Sequence, residues 1–157
     1  MKKKRILFVC LGNHCRSPAG EAFMKHLVNQ RDASSTVEVD SAGTAGYFVN
    51  QPADPRMCSA AASRGVQIDM LGRQVTAADF DRFDLIVAMD RENEADLHAI
   101  ASTNHDRIVL LSKYLDDSWP IDVPDPYYGD GSMFEAALDM IEAACPSILD
   151  QLLVIED

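Results

Sequence analysis

The chain has 157 residues, 47% of them hydrophobic, and a formal net charge of −11. That length and apolar share suit one domain with a proper core, expected to span residues 1–157, while the acidic balance excludes a nucleic-acid partner, which requires a basic face. No apolar run approaches the roughly 18 residues that cross a bilayer, and four cysteines are too few for a disulfide scaffold, so a cytoplasmic protein with no membrane partner is expected.

Met1-Lys2-Lys3-Lys4-Arg5 imitates the basic start of a signal peptide, but the apolar stretch after it, Ile6 to Leu11, is short and reads as a buried strand. In chain order, strands are predicted over Arg5–Cys10, Thr36–Ser41, Leu85–Met89 and Arg107–Leu111, all apolar and mostly β-branched or aromatic. Helices are predicted over Ser17–Arg31, Pro55–Arg64, Arg91–Ser102 and Met133–Leu153, with a short helical turn at Ala77–Phe80 capped by Thr76. Ser17-Pro18 reads as an N-cap serine followed by proline at the first helical position. Alternating strands and helices imply an α/β fold: one doubly wound domain on a four-stranded parallel sheet in the flavodoxin-like order 2-1-3-4, with helices on both faces. Such folds place their sites at the carboxyl ends of the strands, where Cys10, Ser41 to Thr44 and Met89-Asp90 fall. Residues 118–132 carry three prolines and two glycines and read as a long ordered loop, which in a compact domain points to function.

The run from Cys10 to Pro18, Cys-Leu-Gly-Asn-His-Cys-Arg-Ser-Pro, carries most of the chemistry. It fits C-x5-R-[ST], a loop in which a thiol lies at the floor of an oxyanion cradle. Backbone N–H groups of Leu11, Gly12, Asn13, His14, Cys15, Arg16 and Ser17, with the helix N-terminus behind them, suit a phosphate monoester. The same field favours the thiolate of Cys10. Arg16 offers a planar fork for two phosphoryl oxygens. Ser17 is placed to donate to the Cys10 sulfur, and Asn13 to hold the loop in shape through a left-handed backbone conformation. Cys or Arg alone would read as a buried thiol or a surface cation, but the full run between a strand and a helix does not. An acid is also needed for the leaving oxygen. Asp122 and Asp125 lie in the long loop, and Asp125-Pro126-Tyr127-Tyr128-Gly129 is the notable cluster, with Tyr127 and Tyr128 placed to wall a pocket for an aryl leaving group.

With three blocks in order, Val9 to Pro18, Asp40 to Thr44 and Asp125 to Gly129, the chain resembles the low-molecular-weight protein tyrosine phosphatase family over its whole length. The resemblance implies a protein-tyrosine-phosphatase acting through a phosphocysteine: Cys10 as nucleophile, Arg16 as phosphate clamp, Asp125 as general acid and then base. It implies that Asn13 and Ser41 share a hydrogen-bond network holding the loop, that Ser17 activates the thiolate, and that Tyr47, or else Phe48, walls the pocket. It implies that Cys15 can pair reversibly with Cys10 and so protect it. No metal or cofactor is expected. The implied partner is a phosphorylated protein, a tyrosine kinase among the candidates because some bacterial members serve kinase systems for polysaccharide export. A monomer or weak dimer is expected.

Two departures stand out. His14 occupies a position that is usually isoleucine in tyrosine-specific members and threonine in an arginine-phosphatase branch. It reads either as a bland rim substitution or as a residue that alters substrate choice and adds pH dependence. Asp69 to Gln74 lacks the histidine or serine that often supplies an outer bond to the loop. The alternatives are a protein arginine phosphatase and an arsenate reductase on the same fold. The second needs a relay cysteine pair after the third strand, yet no cysteine lies between Cys58 and Cys145. A silent phosphate-binding module is disfavoured by the joint presence of Cys10, Arg16 and Asp125. Cys58 and Cys145 read as core filler, His26, His98 and His105 as surface or satisfied residues, Asp90 as an N-cap, Trp119 as loop packing, and Asp79 to Asp84 as a solvated face.

Overall fold

The computed structural model describes residues 2–156. Strands β1 (Lys4–Cys10), β2 (Val37–Gly43), β3 (Leu85–Ala88) and β4 (Ile108–Leu110) form one parallel sheet in the order β2-β1-β3-β4. This is the expected topology. Around it lie α1 (Arg16–Gln30), α2 (Pro55–Ala62), the single turn α3 (Asp79–Arg82), α4 (Arg91–Ile100) and α5 (Gly131–Val154).

Strand β1 lies between two others and is covered on both sides, which explains its unbroken apolar run. Ile6, Phe8 and Cys10 face a core shared with α1, α2 and α5, and Leu7 and Val9 face a second core with Phe80, Phe83 and Leu97. Ile6, Leu7, Phe8 and Val9 are all fully buried. Each such side chain contributes roughly 1.5–3 kcal/mol relative to an exposed one. The strand that ends on Cys10 is therefore anchored from both faces.

Several local readings change. Helix α1 begins one residue early, at Arg16, with Cys15 at the N-cap and no side-chain cap. Ser17 is thus inside the first turn, and its hydroxyl is spent on the site instead. Pro18 costs the helix nothing there, because the first four N–H groups of a helix lack partners anyway. Strand β2 runs on to Gly43, whose N–H donates to the Arg73 carbonyl (2.9 Å). The predicted turn at Ala77–Phe80 is shifted to Asp79–Arg82. There Thr76 does not cap; its N–H donates to Asp79 Oδ2 (2.8 Å). Nor is Asp79 to Asp84 a solvated face: Asp79, Phe80 and Phe83 are buried, and Asp79 pairs with Arg73 at 3.0 Å.

Candidate active site

The loop after β1 turns sharply at Asn13, whose φ of 53° is left-handed. Its outward carbonyls are taken: Thr44 N–H donates to Cys10 O, Ala45 N–H to Leu11 O and Asp54 N–H to His14 O, each at 2.9 Å. In a trans peptide the following N–H points the opposite way. The N–H groups of Leu11, Gly12 and Cys15 therefore face the concave side, where an oxyanion would sit.

At the floor, Cys10 Sγ lies 3.0 Å from Ser17 Oγ and accepts the Ser17 N–H at 3.4 Å. The Asn13 amide donates to Ser17 Oγ (2.8 Å) and to Ser41 Oγ (3.0 Å). Ser41 in turn donates to Glu21 Oε1 (2.7 Å), and Lys25 closes the series on Glu21 Oε2 (2.7 Å). Asn13 Oδ1 accepts the Arg73 N–H at 2.9 Å. That backbone donor holds the loop from the 69–74 segment, where no side-chain histidine or serine is available. Because Asn13 fills the acceptor side of Ser17, the single hydroxyl proton of Ser17 remains available for sulfur or for the Ala42 carbonyl at 3.3 Å.

Arg16 is 2% exposed. Its Nη1 donates to Asp90 Oδ2 (2.6 Å) and to the Val123 carbonyl (3.0 Å), which fixes the guanidinium plane. Burial opposes its charge, but Cys10, Asp90 and Asp125 outweigh burial and raise its pKa. Asp90 caps α4, as expected, by accepting the Asn93 N–H with Oδ1 (2.7 Å). Its second oxygen holds Arg16, a role not assigned from sequence. The signal is topological: Asp90 lies two residues past the end of β3, the strand next to β1, on the same edge of the sheet.

Asp125 Oδ2 lies 3.5 Å from Arg16 Nη2, and its Oδ1 accepts the Tyr127 N–H (3.2 Å). Asp122, the other acidic candidate, is bound instead to Arg91 Nε and Nη2 (3.0–3.3 Å), which holds its carboxyl below the usual range. Trp119 packs against the main core. Cys10, Leu11, Gly12, His14, Cys15, Arg16, Tyr47, Phe48, Asp125, Tyr127 and Tyr128 together line a cavity of about 460 Å³. Tyr47 and Tyr128 stand at its mouth, 70% and 96% exposed. Phe48 sits deeper, stacked on His14 with centroids 3.8 Å apart. Among the described residues no group of three or more His, Cys, Asp or Glu has the arrangement to hold a metal ion.

A thiol at the end of the first strand, an arginine six residues on at the helix start, and a carboxyl across the pocket define a cysteine-based phosphoryl-handling enzyme on a doubly wound fold. Residues 5–154 match the family model described as low molecular weight phosphotyrosine protein phosphatase, and the chain belongs to that family. The human low molecular weight phosphotyrosine protein phosphatase is 38% identical over 151 residues, 94% of this chain and 95% of its own. The Streptomyces coelicolor low molecular weight protein-tyrosine-phosphatase is 40% identical, with 92% and 91% covered. A protein tyrosine phosphatase structure from Entamoeba histolytica superposes with a TM-score of 0.92 at 38% identity, covering 96% of this chain and 97% of that one. YfkJ from Bacillus subtilis superposes at 0.91 and 37%, with 98% and 96% covered.

Proposed function

We propose that the protein hydrolyses phosphotyrosine in phosphorylated proteins through a phosphocysteine on Cys10, and that residues 1–157 form one phosphatase domain. The observation that carries this reading is the convergence of Cys10, Arg16 and Asp125 on one cavity, with Ser17 behind it against the Cys10 sulfur. Cys10 Sγ attacks phosphorus in line with the ester oxygen, the P–O bond breaks, and Asp125 gives its proton to the leaving phenolate. Arg16 and the loop amides hold the equatorial oxygens, an electrostatic contribution in a site already fixed before substrate arrives. Asp125, now a carboxylate, takes a proton from water as it attacks; the P–S bond breaks and phosphate leaves. Ser17 donates to the sulfur and eases its departure.

Aromatic side chains at the cavity, Phe48, Tyr127 and Tyr128, support an aryl phosphate as substrate. Four unpaired cysteines support the cytoplasm as its compartment. Cys15 is the resolving thiol in this reading: peroxide oxidises Cys10 to a sulfenic acid, and the Cys15 thiol displaces water from it to form the disulfide. Burial first, then Asp54, Cys10 and Asp125, push the Cys15 thiol up, so it stays protonated and idle while Cys10 is reduced. The test is hydrolysis of a phosphotyrosine peptide by wild type and Cys10→Ser. Wild type releases phosphate, and the variant loses a factor on the order of 10⁴ or more. A fully active Cys10→Ser protein would end the proposal.

A further inference from the structure

His14 makes contacts in two directions from the phosphate loop. On one side its ring lies flat on Phe48, with planes 5° apart. The Phe48 ring also rests on Gly12, where an added Cβ would come within 3.1 Å of Phe48 Cδ2. The Phe48 backbone is pinned independently: Gln51 N–H donates to its carbonyl (3.1 Å), and Asn50 N–H reaches Gly72 O (2.8 Å). The ring's position is therefore set by what it lies on.

On the other side His14 Nε2 is 3.6 Å from Asp54 Oδ2. Arg56 Nε and Nη2 grip Asp54 at 3.1 and 2.7 Å, and Nη2 also donates to the Tyr127 carbonyl at 3.0 Å. Tyr127 in turn meets the His14 ring edge-on, 6.0 Å between centroids. Phe48 and Tyr127 come from loops some eighty residues apart in the chain; their rings meet at 5.9 Å between centroids, and His14 touches both. Its Nδ1 is buried without a partner, so stacking and Asp54 set its orientation.

Resting on the phosphatase reading above, we propose that His14 is a positioning residue for the aryl group of the substrate. It sets Phe48 directly, and Tyr127 through Asp54 and Arg56, at the spacing that receives a phenyl ring, and it takes no part in the bond changes. A branched aliphatic side chain fills the same volume but offers no flat face and no reach to Asp54. A phosphate with no aryl group does not use these walls. Loss of His14 therefore acts on binding of the aryl part, leaving the phosphate cradle as it is.

Protonation gives the arrangement a second signature. Asp54 and Arg56 at the start of α2 act on the charge of the imidazole, the Tyr127 phenol meets it edge-on, Cys15 follows it in its own loop, and Cys10, Arg16 and Asp125 line the same cavity. Burial lowers the His14 pKa below the ordinary imidazole value, offset in part by Asp54. A proton gained on the acid side sets a second cation against Asp54 and competes with Arg56 for it. The link from Arg56 to Tyr127 loosens, and the aryl group binds less well.

The experiment measures kcat and KM for a phosphotyrosine peptide and the inhibition constant of inorganic phosphate, from pH 5 to 8, in wild type, His14→Ile and His14→Phe. His14→Ile raises KM about three- to tenfold, the worth of an aromatic contact, while kcat and the phosphate constant stay within about twofold. His14→Phe, which keeps the stack and loses Asp54, recovers part of that loss. Relative to the acid limb that substrate protonation gives every variant near pH 6, wild-type KM shows an additional rise that is absent in both variants. An unchanged KM, an equal loss in phosphate inhibition, or the additional rise retained in the variants overturns the proposal. Wild type inert on the peptide overturns the phosphatase reading itself, a distinct result.

Discussion

Between the phosphate loop and the acid loop, burial changes more than anywhere else in the pocket. Cys10, Asn13, Arg16 and Ser17 are each 3% exposed or less, whereas the Asp125 side chain is 46% exposed and Tyr128 is 96%. The loop at the floor is tied to β2, to Arg73 and to Asp54, so its outward carbonyls and the Asn13 side chain are held before substrate binds. The acid loop meets the floor chiefly through Val123, Asp125 and the grip of Arg56 on Tyr127. The difference follows the chemistry. Charge developing on a phosphoryl group is best met by dipoles that need no reorganisation, while a proton donor must reach leaving groups that arrive from solvent.

The largest effect that separates the two regions is expected at Asp125. Asp125→Asn lowers kcat/KM by about 10²- to 10⁴-fold on substrates with poor leaving groups, and much less on p-nitrophenyl phosphate, whose phenolate needs no proton. Equal losses on both would show that Asp125 belongs with the floor. Next is Asp90→Ser, which keeps an N-cap for α4 but frees Arg16. It lowers kcat/KM by about 10- to 100-fold, on the order of one lost charge-positioning contact, and lowers stability by about 3 kcal/mol, because Arg16 is buried and loses its carboxylate, even though serine still caps α4. Thermal melts and steady-state kinetics on one preparation check both halves.

Two glycines test rigidity, one packed against the phosphate loop and one beside the acid loop. A Cβ on Gly43 would lie 2.8–2.9 Å from Leu11 O, Ala45 O and Asn13 N, all backbone, while one on Gly131 meets nothing within 4 Å. Gly43→Ala therefore costs about 1–3 kcal/mol through overpacking. Gly131→Ala, beside the acid loop, is neutral or stabilises by about 0.4–1 kcal/mol. Denaturant midpoints give the comparison directly, and equal effects would erase it.

The floor was legible in the sequence, and the rim only in part. Cys10, Asn13, Arg16 and Ser17 lie within eight consecutive residues between a strand and a helix, so local rules place them. Asp125 announced itself through its Asp-Pro-Tyr-Tyr setting. Asp90 was read only as a cap because its second partner is 74 residues away. Phe48 ranked behind Tyr47 because adjacent aromatics on a loop carry no period that tells which one turns inward. Ser17 was assigned a cap it does not supply, since its hydroxyl finds a better use against Cys10. The order 2-1-3-4 came from alternation of elements, and β1 was recognisable because burial on both faces leaves an unbroken apolar run.

The smallest expected effect is on acid stability. The Arg56 hydrogen bonds hold Asp54 below its ordinary value of 3.8. A carboxyl with a lowered folded pKa contributes stability that is present above its unfolded value and lost as pH falls through the folded one. The pair therefore protects the rim down to about pH 4 and fails below it. Asp54→Asn flattens that acid limb of the melting temperature. A limb as steep as in wild type would assign it to other carboxylates.

The central claim, covalent chemistry on Cys10, has one direct measurement. Asp125→Asn protein is mixed with an aryl phosphate of good leaving group, quenched in acid within milliseconds, and its intact mass and peptides are read. The account predicts one phosphoryl group per chain, carried by Cys10 and missing when Cys10→Ser is added to the same background. Turnover with no adduct, or an adduct on any other residue, would contradict it.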